Sequence, residues 1–214
     1  MRKILFCNIA WMDKYRGIND NDTPVNGGSY VEDTNNAHEA YNFEPMYFTD
    51  TEEYTQYCLG FFETKSTNGN NRNQLHIEKI DNNSDKNIEA IDDVLVIWCA
   101  KSPTNDFTSV VGWYKNATVY REYQSVEFES GYVQDYNILA KAEECVLLPS
   151  KIRSRKTIWW VPRVAKKNGP SYGFGQANVW FANEKDNRNK DEYINKIINL
   201  IDNYDGENYM LENS

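Results

Sequence analysis

Two apolar runs, joined by a short polar turn, constrain the fold of this chain more than any other feature. They are Ile91-Asp-Asp-Val-Leu-Val-Ile-Trp-Cys-Ala100 and Ser109-Val-Val-Gly-Trp-Tyr-Lys-Asn-Ala-Thr-Val-Tyr-Arg121, linked by Lys101-Ser-Pro-Thr-Asn-Asp106. Runs this short, rich in β-branched and aromatic residues and bounded by turn residues, predict buried strands. The second run carries Trp113–Tyr114 beside polar Lys115 and Asn116. That juxtaposition predicts an aromatic pair at the mouth of a small β-structure, an arrangement that can grip a flat, extruded base.

The remaining elements are short and mostly extended. Ile4–Ile9 predicts a buried strand, and Tyr54–Glu63 another. Leu75–Ile80 alternates apolar and polar residues, the period of a half-buried strand. Tyr136–Lys141, Cys145–Leu148 and Val179–Ala182 complete the series, and Tyr30–Val31 opens a short helix or strand. Ser66–Asn73 reads as a polar hairpin loop. Asp191–Tyr204 is the one clear helix, with Tyr193, Ile194, Ile197, Ile198 and Ile201 on one face. Many strands with few helices predict an α+β fold: a curved mixed sheet or small β-barrel with flanking helices. The 214 residues are read as one domain, extended at its C-terminal end by a basic segment and that helix.

Composition narrows the classes of function. The net charge is −9, so long-range steering toward a polyanion is weak, and any nucleic-acid surface has to be local. Cys7, Cys58, Cys99 and Cys145 sit in apolar surroundings without a C-x-x-C pair, which predicts buried free thiols in a reducing compartment. With only His38 and His76, no metal site is expected. The first residues read as a strand start, and no segment reaches the roughly 20 apolar residues of a membrane span. A cytoplasmic protein without cofactor or membrane partner is the expectation.

Charge is segregated along the chain. Lys151, Arg153, Arg155, Lys156, Arg163, Lys166 and Lys167 fall within seventeen residues that hold no acid, with Trp159 and Trp160 among them. Cations neutralise phosphates and flat rings stack on bases. Lys151, Arg153, Arg155, Lys156 and Arg163 are therefore candidate phosphate-binding residues, against the alternative of a solvated surface strand. Trp11, Trp113 and Tyr114 are candidate cage walls, with Asn8, Asn116 and Ser29 as donors and acceptors for a base edge. Gly173-Phe-Gly-Gln-Ala-Asn178 reads either as a structural turn or as a cradle of backbone N–H groups for a phosphate. Glu63-Thr-Lys65 with Asp50 is the only pattern suggesting catalysis, that of a metal-dependent nuclease. No nucleophile motif or nucleotide-binding loop is present, and no catalytic residue is assigned.

At Ile91–Ala100 and Val110–Arg121 the pattern resembles the PUA-like superfamily, which includes the EVE, YTH and ASCH modules. Ile4-Leu-Phe-Cys-Asn-Ile-Ala-Trp11 is similar in placement to the first strand of an EVE domain, where an aromatic follows closely. The resemblance covers roughly residues 1–125. The insert Ile18–Asn42 and the C-terminal third have no counterpart in a minimal EVE module. The resemblance implies a curved barrel that holds a modified base in an aromatic cage, in modules that partner nucleases restricting modified DNA or that read modified RNA. Trp11 and Trp113 match the cage positions best, and Asn8 an edge reader.

The expected function is thus a nucleic-acid-binding module that flips a modified, cytosine-derived base of double-stranded DNA into an aromatic cage. It would supply the specificity of a restriction or defence system whose nuclease is a separate domain or subunit. Two alternatives stand beside it: a metal-dependent nuclease using Asp50, Glu63 and Lys65, and a domain that senses a small ligand or peptide.

Overall fold

The two apolar runs form an antiparallel pair at the heart of the sheet: β4 (Ala90–Lys101) and β5 (Thr108–Glu127). They are seen in a computed structural model that describes residues 2–26, 38–47, 55–64, 74–81, 85–165 and 169–211. Around them lie β1 (Lys3–Asn8), β2 (Pro45–Tyr47), β3 (Gln56–Gly60), β6 (Val133–Lys141) and β9 (Val179–Trp180), in the spatial order β2-β3-β6-β5-β4-β1-β9. Among the described strands only the β1–β4 pair is parallel; the other strand pairings are antiparallel.

β5 is long because three partners share its outer edge. Thr108–Ser109 pairs with β8 (Trp160–Val161), Gly112–Tyr114 with β7 (Cys145–Leu147), and Thr118–Glu127 with β6. Its pairing with β4 shifts register three times, and its pairing with β6 once. Each bulge adds twist and bends the strand, so the sheet is curved. Among the described residues no pairing joins β2 to β9, so the path stays open. The expected mixed, sheet-dominated α+β plan is therefore found as an open sheet, without barrel closure.

Both faces of the sheet centre are covered, which explains why β4 reads as a nearly continuous apolar run. Leu95, Ile97 and Cys99 enter one apolar cluster; Val96, Trp98 and Ala100 enter the other. The second cluster is the larger and also holds Leu5, Cys7, Phe43, Phe62 and Tyr114. The first is closed by Trp159, Trp180 and a helix. That helix is one of three α-helices among the described residues: α1 (Ser150–Arg153), α2 (Lys156–Trp159) and α3 (Arg188–Asp202). α3 seats Tyr193, Ile197 and Ile201 on the sheet, the face its i, i+3, i+4 spacing predicts. Its start, one turn earlier than the apolar pattern suggests, is set by Asn187, whose Oδ1 accepts from Lys190 N at 3.1 Å. Asn187→Ala is expected to cost about 1 kcal/mol, read as a lower urea midpoint.

Three expectations meet a different outcome or none. Leu75–Ile80 contains a 3-10 turn at Ile77–Lys79 instead of a strand. Leu75 and Ile77 are both buried there, so the alternation reports two anchors of a tight turn docked on Arg121 O of β5. The basic stretch from Lys151 forms α1, α2 and the brief β8. Tyr30–Val31 and Ser66–Asn73 lie outside the described residues. No described helix is long and apolar enough to cross a membrane. The four cysteines are free and buried, and burial pushes the thiols of Cys7, Cys99 and Cys145 upward.

Candidate functional site

The Trp113–Tyr114 pair does not line an opening. Trp113 is 1% exposed, stacked on Trp159 at 5.8 Å between ring centroids and edge-on to Tyr204 at 5.3 Å. Tyr114 is fully buried on the opposite face, against Trp98 and Phe43, and its hydroxyl donates to Asn42 O. Successive strand residues point to opposite faces. Here both faces are covered, so neither ring can meet a ligand, and their proposed role as cage walls is corrected to core packing.

Asn116 is exposed, but it stands at the wrong end of the sheet. Its neighbour Ala117 pairs with Val94, which pairs with Lys3, whereas Asn8 ends β1 opposite Cys99. Five residues of strand separate the two asparagines, roughly 16 Å at about 3.3 Å per residue. Asn116 instead sits at a bulge with φ 50° and donates to Glu144 at 3.1 Å. Ser29, Asp50 and Lys65 lie outside the described residues.

The basic segment divides in two. Arg153 is fully buried and serves the fold. Its Nε donates to Leu148 O at 2.6 Å, Nη1 to Met12 O at 2.7 Å and Nη2 to Asp13 O at 2.8 Å. A guanidinium wholly enclosed and held by three carbonyls cannot reach a phosphate in solvent, so its phosphate-binding assignment is corrected. Lys151 is exposed and pairs with Glu207 at 3.7 Å. Arg155, Lys156 and Arg163 are exposed. Lys156 Nζ lies 5.7 Å from the Phe107 ring centroid, and Arg163 Nε donates to Thr108 Oγ1 at 2.9 Å. Lys101, which sequence reasoning passed over, binds Asp106 at 2.8 Å. Lys101, Lys156 and Arg163 therefore surround the turn between β4 and β5, a local cationic surface on an acidic chain.

That surface adjoins the carboxyl end of β1, where two of the expected residues, Asn8 and Arg163, come together. Arg163 Nη2 donates to Asn8 Oδ1 at 3.2 Å. Asn8 N donates to Asn178 O at 2.8 Å, and Asn178 Nδ2 to Glu63 O at 3.3 Å. Beyond Asn8 the chain turns through Ala10 to Trp11, which exchanges backbone hydrogen bonds with Val25. The Trp11 indole is half-buried, with the Arg153 guanidinium 5.4 Å from its ring centroid. Asn26 Nδ2 ties the same loop to Lys101 O at 3.0 Å. The rim thus offers one accessible indole, the Asn8 and Asn178 amides and the Arg163 guanidinium.

Beneath this rim is Glu39, on a 3-10 turn at His38–Tyr41. Its Oε1 accepts from Ala10 N at 3.1 Å. Burial lifts its carboxyl from 4.5 to about 7; the Ala10 hydrogen bond opposes the shift and the nearby Glu63 adds to it. Sequence reasoning missed Glu39 because its surroundings come from residues 10 and 63, which local pattern does not connect. Asn178, a polar residue opening the apolar Val179–Trp180 strand, was within reach of such reasoning.

The Gly173 loop is a structural turn. Gly173 has φ 111°, its N–H meets Glu184 Oε1 at 3.4 Å, and the next N–H donates to Pro162 O at 3.0 Å. A Cβ at Gly173 would lie 2.1 Å from Pro162 O. The N–H groups of Gly173 and Phe174 are spent inside the fold and are not offered to a phosphate. Among the described residues no group of three or more side chains could hold a metal ion. Comparison of the chain with family models, with curated proteins and with solved structures finds no match.

Proposed function

We propose that this chain is a nucleic-acid-binding module of PUA-like kinship that reads an extruded, modified base of cytosine type at the carboxyl end of β1. The observation that carries the reading is the hydrogen bond of Arg163 to the Asn8 amide beside the exposed Lys101 and Lys156, with the half-buried Trp11 three residues beyond Asn8. One flat ring stacks on a base, amides meet its edge, and cations neutralise the flanking phosphates. Double-stranded DNA carrying modified bases is the proposed partner, in the cytoplasm. Cleavage, where it accompanies recognition, belongs to a nuclease domain or subunit outside this site.

The test is binding to oligonucleotides carrying plain, methylated, hydroxymethylated and glucosylated cytosine, titrated with salt. Trp11→Ala is expected to lose about 1–3 kcal/mol of affinity for the preferred base while leaving weak, salt-sensitive binding. Neutralising Lys156 and Arg163 together should flatten the dependence of log K on log salt by about 2. Binding that ignores salt would instead mark a site for a neutral small ligand. No binding to any of these nucleic acids, as DNA or RNA, removes the reading altogether.

A further inference from the structure

We infer that Glu39 reads the base edge at this rim, selecting a face that sets an amine donor beside a ring-nitrogen acceptor, as cytosine does. The inference rests on the base-reading function proposed above and identifies the group that would make it selective.

Glu39 differs from the equally buried Asp22 in how its carboxyl is bonded. It is 7% exposed, and among the described residues Ala10 N–H is the only hydrogen-bond partner of its carboxyl. Asp22 is equally buried but satisfied: its two oxygens take Asp13 N at 2.6 Å and Lys14 N at 2.7 Å, as a purely structural carboxylate does. Buried polar groups are nearly always paired, and a lone N–H needs no carboxyl to satisfy it. Glu39 therefore keeps oxygen valences in reserve. The carboxyl is held at Ala10 N, two residues after Asn8 and one before Trp11.

The two protonation states recognise different edges. An ionised carboxylate accepts two N–H groups, as the N1–H and N2–H edge of guanine would supply. A protonated carboxyl offers one donor and one acceptor, which meet N3 and the N4 amine of cytosine. A substituent at cytosine C5 lies on the opposite edge and remains free for other contacts. The surroundings favour the proton. Burial and the Glu63 charge both hold it on, and Tyr15, whose hydroxyl donates to Ala10 O at 2.8 Å, is neutral. Arg153 stands beyond the Tyr15 ring at 5.9 Å, and His38, on the same turn, directs Nδ1 toward Asp135 N at 3.3 Å.

The experiment compares wild type, Glu39→Gln and Trp11→Ala by fluorescence anisotropy, using duplexes with one mismatched target base. Wild type should bind a cytosine target about 10-fold more weakly near pH 8 than near pH 6, as the protonated fraction falls. Glu39→Gln keeps a donor and an acceptor but cannot titrate, so its affinity for cytosine should be the same at both pH values. Both proteins should prefer cytosine to guanine at the lower pH. Thermal melts of each variant confirm folding. If wild type binds in a Trp11-dependent way but shows the same pH profile and base preference as Glu39→Gln, the role of Glu39 is overturned. If Trp11→Ala binds as wild type does, or wild type binds nothing, the failure lies with the base-reading proposal itself.

Discussion

Arg153→Ala is expected to lower stability by about 3–5 kcal/mol, measured by urea denaturation. The guanidinium is wholly enclosed and joins three distant stretches of chain: the loop at Met12 and Asp13, the end of β7 at Leu148, and α1 itself. Ser109 Oγ of β5 adds a fourth tie by donating to Arg153 O at 2.6 Å. Removing the side chain leaves three buried carbonyls without their donors, at about 1–3 kcal/mol each before relaxation, and a cavity beside Trp11 and Tyr15. Lysine should not rescue it, because a single ammonium cannot reproduce a planar fork aimed at three acceptors. Arg155→Ala, two residues away and exposed, is the control and should stay within about 0.5 kcal/mol of wild type. Equal midpoints for the two variants would refute the structural role. Because the same guanidinium flanks the Trp11 ring, Arg153→Ala should also weaken the nucleic-acid binding proposed above, through disorder around Trp11 and not through lost phosphate contact.

Glu39 should make stability depend on pH in a window where few other groups titrate. Its folded carboxyl titrates at about 7 and its unfolded one at 4.5. The folded state therefore holds more protons than the unfolded state across that interval. Stability is greatest below 4.5 and is lost as pH rises through 7. The loss is about 3 kcal/mol, because a tenfold change in proton affinity between the two states is worth roughly 1.4 kcal/mol. The partly buried Glu44, raised by burial against the pull of Arg16, acts in the same direction. Asp202, held below its ordinary value by its hydrogen bond from Arg2, loses its contribution only under more acidic conditions. Glu39→Gln removes the largest titration, so its denaturation midpoint should change little from about pH 5 to about pH 8, and it should exceed wild type at the upper end. A wild-type midpoint that is flat over this range, or rises, would show that Glu39 ionises freely. A carboxyl that weakens the fold when ionised is what a recognition group kept in reserve would cost.

Much of the fold was legible in short stretches. The apolar runs at 91–100 and 109–121 are β4 and the first part of β5, 4–9 is β1 within a residue, and the five-residue stripe from Tyr193 is the buried face of α3. Each is a periodicity carried by near neighbours. At the site, the same reasoning named Asn8 and Arg163, which the fold joins by a hydrogen bond, and Trp11, three residues beyond Asn8. It failed at Trp113 and Tyr114 because the polar Lys115 and Asn116 suggested a strand mouth. The coverage that seals those rings comes from Trp159, Tyr204, Phe43 and Trp98, which lie far along the chain in every direction.

Arg153 and Arg155 show where sequence reasoning ends. They are the same residue type, two positions apart in one basic run, yet one is a buried clasp and the other is solvated. The order of the residues determined which segments extend, which one coils and where cations gather, since these follow from local spacing and steric preference. Only tertiary structure decided which cation met three carbonyls, which tryptophan stayed accessible and which glutamate lost its water. Those outcomes depend on contacts between residues far apart in the chain, such as Arg153 with Met12 and Glu39 with Ala10, and no local pattern encodes them.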